Sequence, residues 1–377
     1  MTKKIKIVHL IVGLRSTSGV SAFCLEVAKQ EILSGYDVTI WCHHRTDEQT
    51  TIPVVYGKDG VTIDWKEVDF VHIHAVWSLF CVKAMWRCWR SGIKFAVSPH
   101  GCLMPRVFTK GRLKKFLVWH LMVKPLMKRA AFLHCTSEAE REACERLDLN
   151  GTFVVAPLGV DKIEMSKSVT GDDCEVRTVL FLGRLAEEKG LENLLIAWKE
   201  IQNELLRTGG SMLNWRLKIA GPDWLGYKAR LNEKCRELDL KWCDAGAAES
   251  SSETVIFTGP ADAEKKECLY REAEIFVLPS PMENFSMAVL EALAYGVPVI
   301  ATKGTPWGEL KSEKCGLWID QGPAALAAAL KEMMKLSHSE RKAMGLRGRD
   351  LAQRRYSWRR VVDSLIKHMK FVGTDPR

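Results

Sequence analysis

Between Asp69 and Glu138 the chain has no acidic residue. The stretch 83–129 meanwhile holds twelve Lys and Arg, more than the net charge of +9 on all 377 residues. A segment of one sign attracts an anion, such as a lipid head group, a phosphate or a nucleic acid, unless it is only a solvated face. Trp86, Trp89, Phe108, Phe116 and Trp119 are interleaved with these cations. A membrane or acidic-acceptor surface over residues 83–129 and a plain basic face both stay open.

Other absences narrow the field. No apolar run reaches the roughly 20 residues that span a bilayer. The start MTKKIKIVHLIVGL is basic and then apolar, but no small-residue cleavage site follows, so it reads as a buried strand rather than a signal peptide. A cytoplasmic protein is expected. None of the twelve cysteines forms a C-x-x-C pair. Cys24, Cys135 and Cys268 have apolar neighbours and read as reduced core thiols rather than disulfides or zinc ligands. The first glycine turn, GLRSTSGVS, has Val20 where a phosphate-binding loop of the Walker type needs lysine, and it is not GxGxxG either. Nucleoside-triphosphatase and dinucleotide readings therefore lose their main support.

What is present is a globular composition, 47% hydrophobic and 27% charged. At about 150 residues per domain, the length suggests two domains. Short apolar strands alternate with helical stretches: IKIVHLIVG, DVTIWCH, FVHIHA, KFAVSPH, AFLHCTS and FVVAP, with a helix from about Ala22 to Ser34. The pattern restarts with TVLFLGRL, WRLKIAG, TVIFTG, IFVLPS, VPVIAT and GLWI. Such alternation predicts an α/β fold of two doubly wound, Rossmann-like domains facing across a cleft. The polar residues 161–177 read as the link, giving domains 1–165 and 166–355. A last helix, 356–377, sets Val361, Val362, Leu365 and Met369 at helical spacing and is expected to pack back on the first domain. Ligands of such sheets sit outside the carboxyl ends of the strands, so functional residues belong in the turns that follow strands.

Four turns carry candidates. LFLGRLAEEKGL puts Arg184 just after a strand and Lys189 at the opening of a helix, as two cations suited to a diphosphate or as solvated surface charges. IFVLPSPMENFSMAVLEAL holds Glu283 in a loop, with Asn284 or Ser286 able to cap the next helix. The free N–H groups of that first helical turn form an anion site. Glu291 lies in the same helix among apolar neighbours, and a pair of ribose hydroxyls would satisfy its carboxylate. Its spacing from Glu283 also fits an acid/base couple. His100, in SPHGCLMP, stands at a strand end before a glycine turn, where a cleft residue or a structural histidine both fit.

Together these pieces resemble the retaining glycosyltransferases of the GT4 family, which have the GT-B fold. The matching residues are GRLAEEKGL (residues 183–191), the E-x7-E pair of MENFSMAVLEALAYGVPVI, TSGVS and SPHG. VHIHAVWS, SPHGCLMP with its basic helix, HCTSEAE and TPWGEL are similar to a bacterial subgroup that builds surface polysaccharide. The resemblance implies that Arg184 and Lys189 hold a donor diphosphate and that Gly19 lets backbone approach it. It implies that Glu291 binds the ribose and Glu283 the donor-sugar hydroxyls, with His100 facing that sugar. It gives the amides of Asn284, Phe285 and Ser286 contacts to sugar and phosphate. Where many members have Pro-Phe-Gly, this chain has Asn284-Phe285-Ser286, which bears on donor preference.

The implied partners are a nucleotide-diphosphate sugar, UDP- or GDP-linked, and a saccharide acceptor, lipid-linked, in surface polysaccharide or lipopolysaccharide synthesis. No cofactor, metal or nucleic acid is implied. If residues 83–129 bind an anionic membrane surface, the protein is peripheral on its inner face. Two further readings are a sugar-nucleotide epimerase of the same fold and a non-catalytic sugar-nucleotide-binding subunit. The first needs acid/base groups near the sugar beyond the residues named above, and the intact cations and carboxylates count against the second.

Overall fold

A computed structural model describes residues 4–15, 18–45, 50–57, 63–104, 112–149, 151–163, 176–208, 215–246 and 254–373. Thr17, Pro105, Phe108 and most of the expected link, residues 164–175, lie outside them. The chain divides into two compact units, Met1–Gly159 with Tyr356–Arg377, and Val160–Arg355.

In the first unit, β1 (Lys6–Ile11), β2 (Asp37–Cys42), β3 (Val54–Tyr56), β4 (Phe70–His74), β5 (Lys94–Ser98), β6 (Phe132–Cys135) and β7 (Phe153–Val155) form one parallel sheet. Its order is β3-β2-β1-β4-β5-β6-β7. The chain builds outward from β1 to β3, then restarts on the other side of β1 with β4. That reversal is a switch point, where two turns diverge and leave a crevice.

The helix Gly19–Leu33 begins earlier than expected because the Ser18 side chain accepts from Ser21 N and caps it. With the terminal helix Trp358–Gly373 it covers one face of the sheet. Phe23, Val27, Val361, Val362 and Leu365 join Ile7 and Ile40 in that core. The other face is covered by the helix Leu79–Ser91 and by residues 119–127.

Pro125 lies inside the basic helical run without ending it. A π-helical turn, Trp119–Val123, joins Arg112–Val118 to Lys124–Met127. Proline offers no N–H and crowds the turn before it, and a widened turn accommodates both.

In the second unit, β8 (Arg177–Leu182), β9 (Trp215–Ala220), β10 (Trp242–Asp244), β11 (Val255–Gly259), β12 (Ala273–Leu278), β13 (Val299–Thr302) and β14 (Gly316–Ile319) make a second parallel sheet. Its order, β10-β11-β9-β8-β12-β13-β14, switches between β8 and β12. All of β12 is buried, including Glu274. That carboxylate is tolerated because Arg341 Nε donates to it at 2.9 Å and His338 lies at 2.9 Å. Two parallel seven-stranded sheets with interleaved helices are the fold class that the sequence predicts.

One thiol departs from expectation. Cys268 is exposed, because the helix Ala263–Glu272 turns Leu269 and Tyr270 inward instead. Among the described residues no helix is long and apolar enough to cross a membrane.

Candidate active site

The second unit brings Lys189 and Glu283 together. Lys189 ends a short 3₁₀ turn, Glu187–Lys189, in the connection after β8, while Glu283 stands in the loop after β12. Because β8 and β12 are neighbours, these loops flank the switch point. Lys189 Nζ donates to Glu283 Oε1. Both side chains are largely buried, at 16% and 14% exposure, so the attraction is only weakly screened.

Gly190 makes this approach possible. It has φ +69°, and a Cβ there would lie 2.3 Å from Pro279 O. Only glycine allows the lysine turn to rest on the end of β12. Arg184 lies farther out, 46% exposed. It pairs with Glu188 at 3.5 Å and stacks on Trp224 at 4.8 Å.

The Glu283 loop is held from below. Glu283 N donates to Gly304 O at 2.9 Å, and Gln321 Nε2 donates to Pro281 O at 2.8 Å. Trp307 is fully buried, donates from Nε1 to Phe285 O, and packs its ring 5.1 Å from Phe285. Trp307 belongs to the TPWGEL piece, so that motif has a job here: it clamps the loop.

Ser286 takes φ +76° and ψ +96°, a strained conformation for a residue with a side chain. It occupies the cap position of the helix Met287–Ala294, but its side chain makes no capping bond. Of Asn284 and Ser286, the two residues able to cap this helix, it is Ser286 that stands at the cap position, and it does so without a bond from its hydroxyl. Asn284 is half-buried beside it.

Glu291 is not left to a ligand alone. Tyr270 OH donates to its Oε2 at 2.8 Å, and Lys266 Nζ to Oε1 at 3.3 Å. Burial first, and then the Glu291 charge, push the Tyr270 hydroxyl well above its ordinary pKa. Sequence reading missed Tyr270 and Lys266, which come from the helix Ala263–Glu272, some twenty residues upstream of Glu291 in the chain. The carboxylate remains 22% exposed, enough to accept from a further group.

In the first unit, His100 follows β5 with φ +51°, half-buried. Burial first, and then the His134 ring, hold its pKa down to about 3. It is therefore neutral at any ordinary pH. The Gly101 N–H donates to Glu140 Oε1, whose other oxygen accepts from Thr136 N and Oγ1 at 2.8 and 2.9 Å. This fully buried glutamate fixes the histidine turn, and sequence reading missed it. Also missed were His9, His72, His74 and His134, all buried beneath His100. The signal was available, since V-H-I-H in a strand puts both rings on one face.

Gly19 opens its helix, and a Cβ there would meet no atom within 4 Å. Nothing in the packing demands glycine. The ligand atoms of His9, Cys24 and His74 lie within 4.8 Å of one another, a set that could hold a metal ion. His9 Nδ1 and His74 Nε2 are already hydrogen-bonded to each other at 2.9 Å, so coordination would have to break that bond.

Comparisons with known proteins bear on the family and the fold. The model of the family "Glycosyl transferases group 1" matches residues 163–351, half of the chain, and that of "Glycosyl transferase 4-like domain" matches residues 60–159. The D-inositol 3-phosphate glycosyltransferase of Corynebacterium urealyticum is 29% identical over 217 residues, 56% of this chain and 47% of that protein. The alpha-monoglucosyldiacylglycerol synthase of Streptococcus pneumoniae is 26% identical over 240 residues, 59% of this chain and 49% of that protein. The chain thus spans about half the length of these two curated relatives. Among solved structures, Anabaena Alr3699/HepE in complex with UDP-glucose has a TM-score of 0.75 at 16% identity, covering 97% of this chain and 100% of that one. Sucrose-phosphate synthase from Thermosynechococcus elongatus has a TM-score of 0.74 at 18% identity, covering 98% and 99%. At such identities these two likenesses speak for the fold alone. The half-chain family match carries the assignment: this chain belongs to the glycosyl transferases group 1 family.

Proposed function

We propose that this protein moves a sugar from a UDP- or GDP-linked donor to a saccharide acceptor carried on a lipid, in the synthesis of surface polysaccharide or lipopolysaccharide. One observation carries the reading. A cation and a carboxylate, Lys189 and Glu283, are paired at the switch point of the second sheet. The cation suits a diphosphate, and the carboxylate suits the hydroxyls of a sugar attached to it.

Arg184 adds a second charge for the diphosphate, and the start of the helix Met287–Ala294 adds N–H groups through Asn284, Phe285 and Ser286. Glu291, held by Tyr270, takes the ribose. These groups stabilise the leaving diphosphate as charge develops on it, with no metal needed for that task. In this reading the acceptor hydroxyl attacks the anomeric carbon on the face the diphosphate leaves. The departing phosphate oxygen takes the hydroxyl proton, and configuration is retained. The second unit is the donor side and the first the acceptor side, with His100 toward the donor sugar and Gly19 leaving room for phosphate.

The relatives support the coarse class: one is named for an inositol phosphate, one for a diacylglycerol product, and a solved neighbour holds UDP-glucose. The lipid-linked acceptor has a surface to meet. Phe116, Leu117, Leu121 and Met122 are exposed, as are Trp86 and Trp89, which lie under Arg90 and Arg129. Cations over exposed aromatics suit the head-group level of an anionic bilayer.

The test is nucleoside diphosphate release from a panel of UDP- and GDP-sugars, with and without EDTA. Release from at least one donor, undiminished by EDTA, is expected. No release from any donor overturns the reading, and loss in EDTA that magnesium restores overturns its metal-free part.

A further inference from the structure

The buried histidines of the first unit form a chain. Glu31 Oε2 lies 2.6 Å from His9 Nε2. His9 Nδ1 lies 2.9 Å from His74 Nε2, and His74 Nδ1 lies 3.0 Å from His100 Nε2. Three imidazoles thus connect a buried carboxylate to the candidate site residue. The chain crosses the switch point, since His9 is on β1 and His74 ends β4.

We propose that Glu31, His9 and His74 are positioning residues that set which ring nitrogen of His100 carries its proton, so that His100 presents an Nδ1–H donor to the donor substrate. The destination of that donor rests on the glycosyl-transfer reading. The setting of the proton does not.

The logic follows from donor counting. An ionised carboxylate only accepts, so His9 Nε2 must carry a proton. If His9 is an imidazolium, its Nδ1–H donates to His74 Nε2. His74 is then left with Nδ1–H, which donates to His100 Nε2. His100, being neutral, must hold its own proton on Nδ1. If His9 is neutral instead, it keeps the proton on Nε2 toward Glu31, the two ring-to-ring bonds reverse, and His100 Nδ1 becomes an acceptor. One proton on His9 therefore decides the polarity of an atom two rings away.

Glu31 decides it. Burial opposes charge on His9, but the adjacent Glu31 overcomes it and raises the pKa to about 10. The surrounding groups do not compete: His72 Nε2 lies 2.6 Å from Ser98 Oγ, which lies 2.7 Å from His134 Nδ1. His134 Nε2 in turn reaches Ala156 O at 2.7 Å, so this branch ends on the backbone. The Cys24 thiol is a further neighbour of His9 and reinforces its charge.

A purely structural role explains the pair poorly. Glu31 Oε1 is buried and has no hydrogen-bond partner. A half-satisfied buried carboxylate destabilises a fold relative to an apolar side chain, so it is a poor device for stability alone. At His100 the other nitrogen, Nδ1, has no hydrogen-bond partner among the described residues.

The experiment is ring nitrogen NMR on the full chain with ¹⁵N-labelled histidine near neutral pH, with His100 assigned through its loss in His100→Asn. The wild-type protein should show His100 protonated on Nδ1. In Glu31→Gln the charge that holds His9 as imidazolium is gone, and the proton of His100 should move to Nε2. With a transferable donor, kcat/KM should fall about 10²-fold, the scale of one misplaced donor. A wild-type spectrum with the proton on Nε2 overturns the proposal, even if Glu31→Gln does not fold. So does a folded Glu31→Gln with the wild-type tautomer. Neither spectrum needs a donor sugar, so the result is independent of whether glycosyl transfer is correct.

Discussion

At the scale of single residues, burial separates groups that the sequence treats alike. Arg184 and Lys189 read as two equal cations on a loop. In the structure Arg184 is 46% exposed and Lys189 16%. A charge shielded from water acts more strongly on a ligand, so the two should differ. Lys189→Ala is expected to lower turnover by about 10²–10³-fold, and Arg184→Ala by less. Steady-state kinetics on the same donor checks this, and near wild-type rates for both would remove them from the proposed role.

The turns themselves were legible. A strand pattern ends where Gly, Pro or Ser begins, and Arg184, Glu283 and His100 all follow such ends. Their partners were not. Glu283 meets a lysine 94 positions away, and Glu291 meets a tyrosine 21 positions away. Those distances are set by strand order, which local periodicity does not encode. The E-x7-E spacing suggested a couple, yet the two carboxylates have separate partners, which favours two holding groups over an acid and a base.

At the scale of elements, the β1–β4–β5–β6 face of the first sheet carries a row of titratable rings. The helix Gly19–Leu33 that covers it was legible, though the Ser18 cap moved its start. The row is not legible in the sequence, because it forms only when β1, β4 and the strands beside them are set in their order in the sheet. It has a consequence for stability. His100 and His134 are held down to about 3 and about 4, burial being the first cause of both. Unfolded histidine binds a proton near pH 6.5, so below that value the unfolded chain binds more protons and stability falls as pH falls. Each ring contributes about 1.4 kcal/mol per pH unit until its folded value is reached. His9 works the other way. Its folded pKa of about 10 means the folded state binds the extra proton between pH 6.5 and 10, so stability falls as pH rises through that window. Urea midpoints against pH should therefore peak near pH 6.5, with a steep acid limb. In Glu31→Gln the alkaline decline should flatten while the acid limb remains. A wild-type midpoint that is flat from pH 6.5 to 10 would contradict the charged His9.

At the scale of the whole molecule, composition gave the class and the charge map, and the parallel sheets followed from alternation of strands and helices. The basic segment is the feature whose meaning needed coordinates. In it Phe116, Leu117 and Leu121 are 58%, 50% and 73% exposed. The segment packs Trp119, Val123, Leu126 and Met127 into the core and leaves the other side outward, the side that the membrane proposal uses. Flotation with vesicles containing anionic lipid should carry the protein upward at low salt and release it at high salt. Absence of binding at low salt would remove the membrane from the proposal.

The most direct measurement of the proposed activity follows the donor itself. Each UDP- and GDP-sugar is incubated with the protein and a saccharide acceptor, and the reaction is watched by NMR. Consumption of one donor should release its nucleoside diphosphate and form a glycosidic bond with the anomeric configuration of the donor. A product of inverted configuration would contradict retention, and a panel in which no donor is consumed would contradict glycosyl transfer altogether.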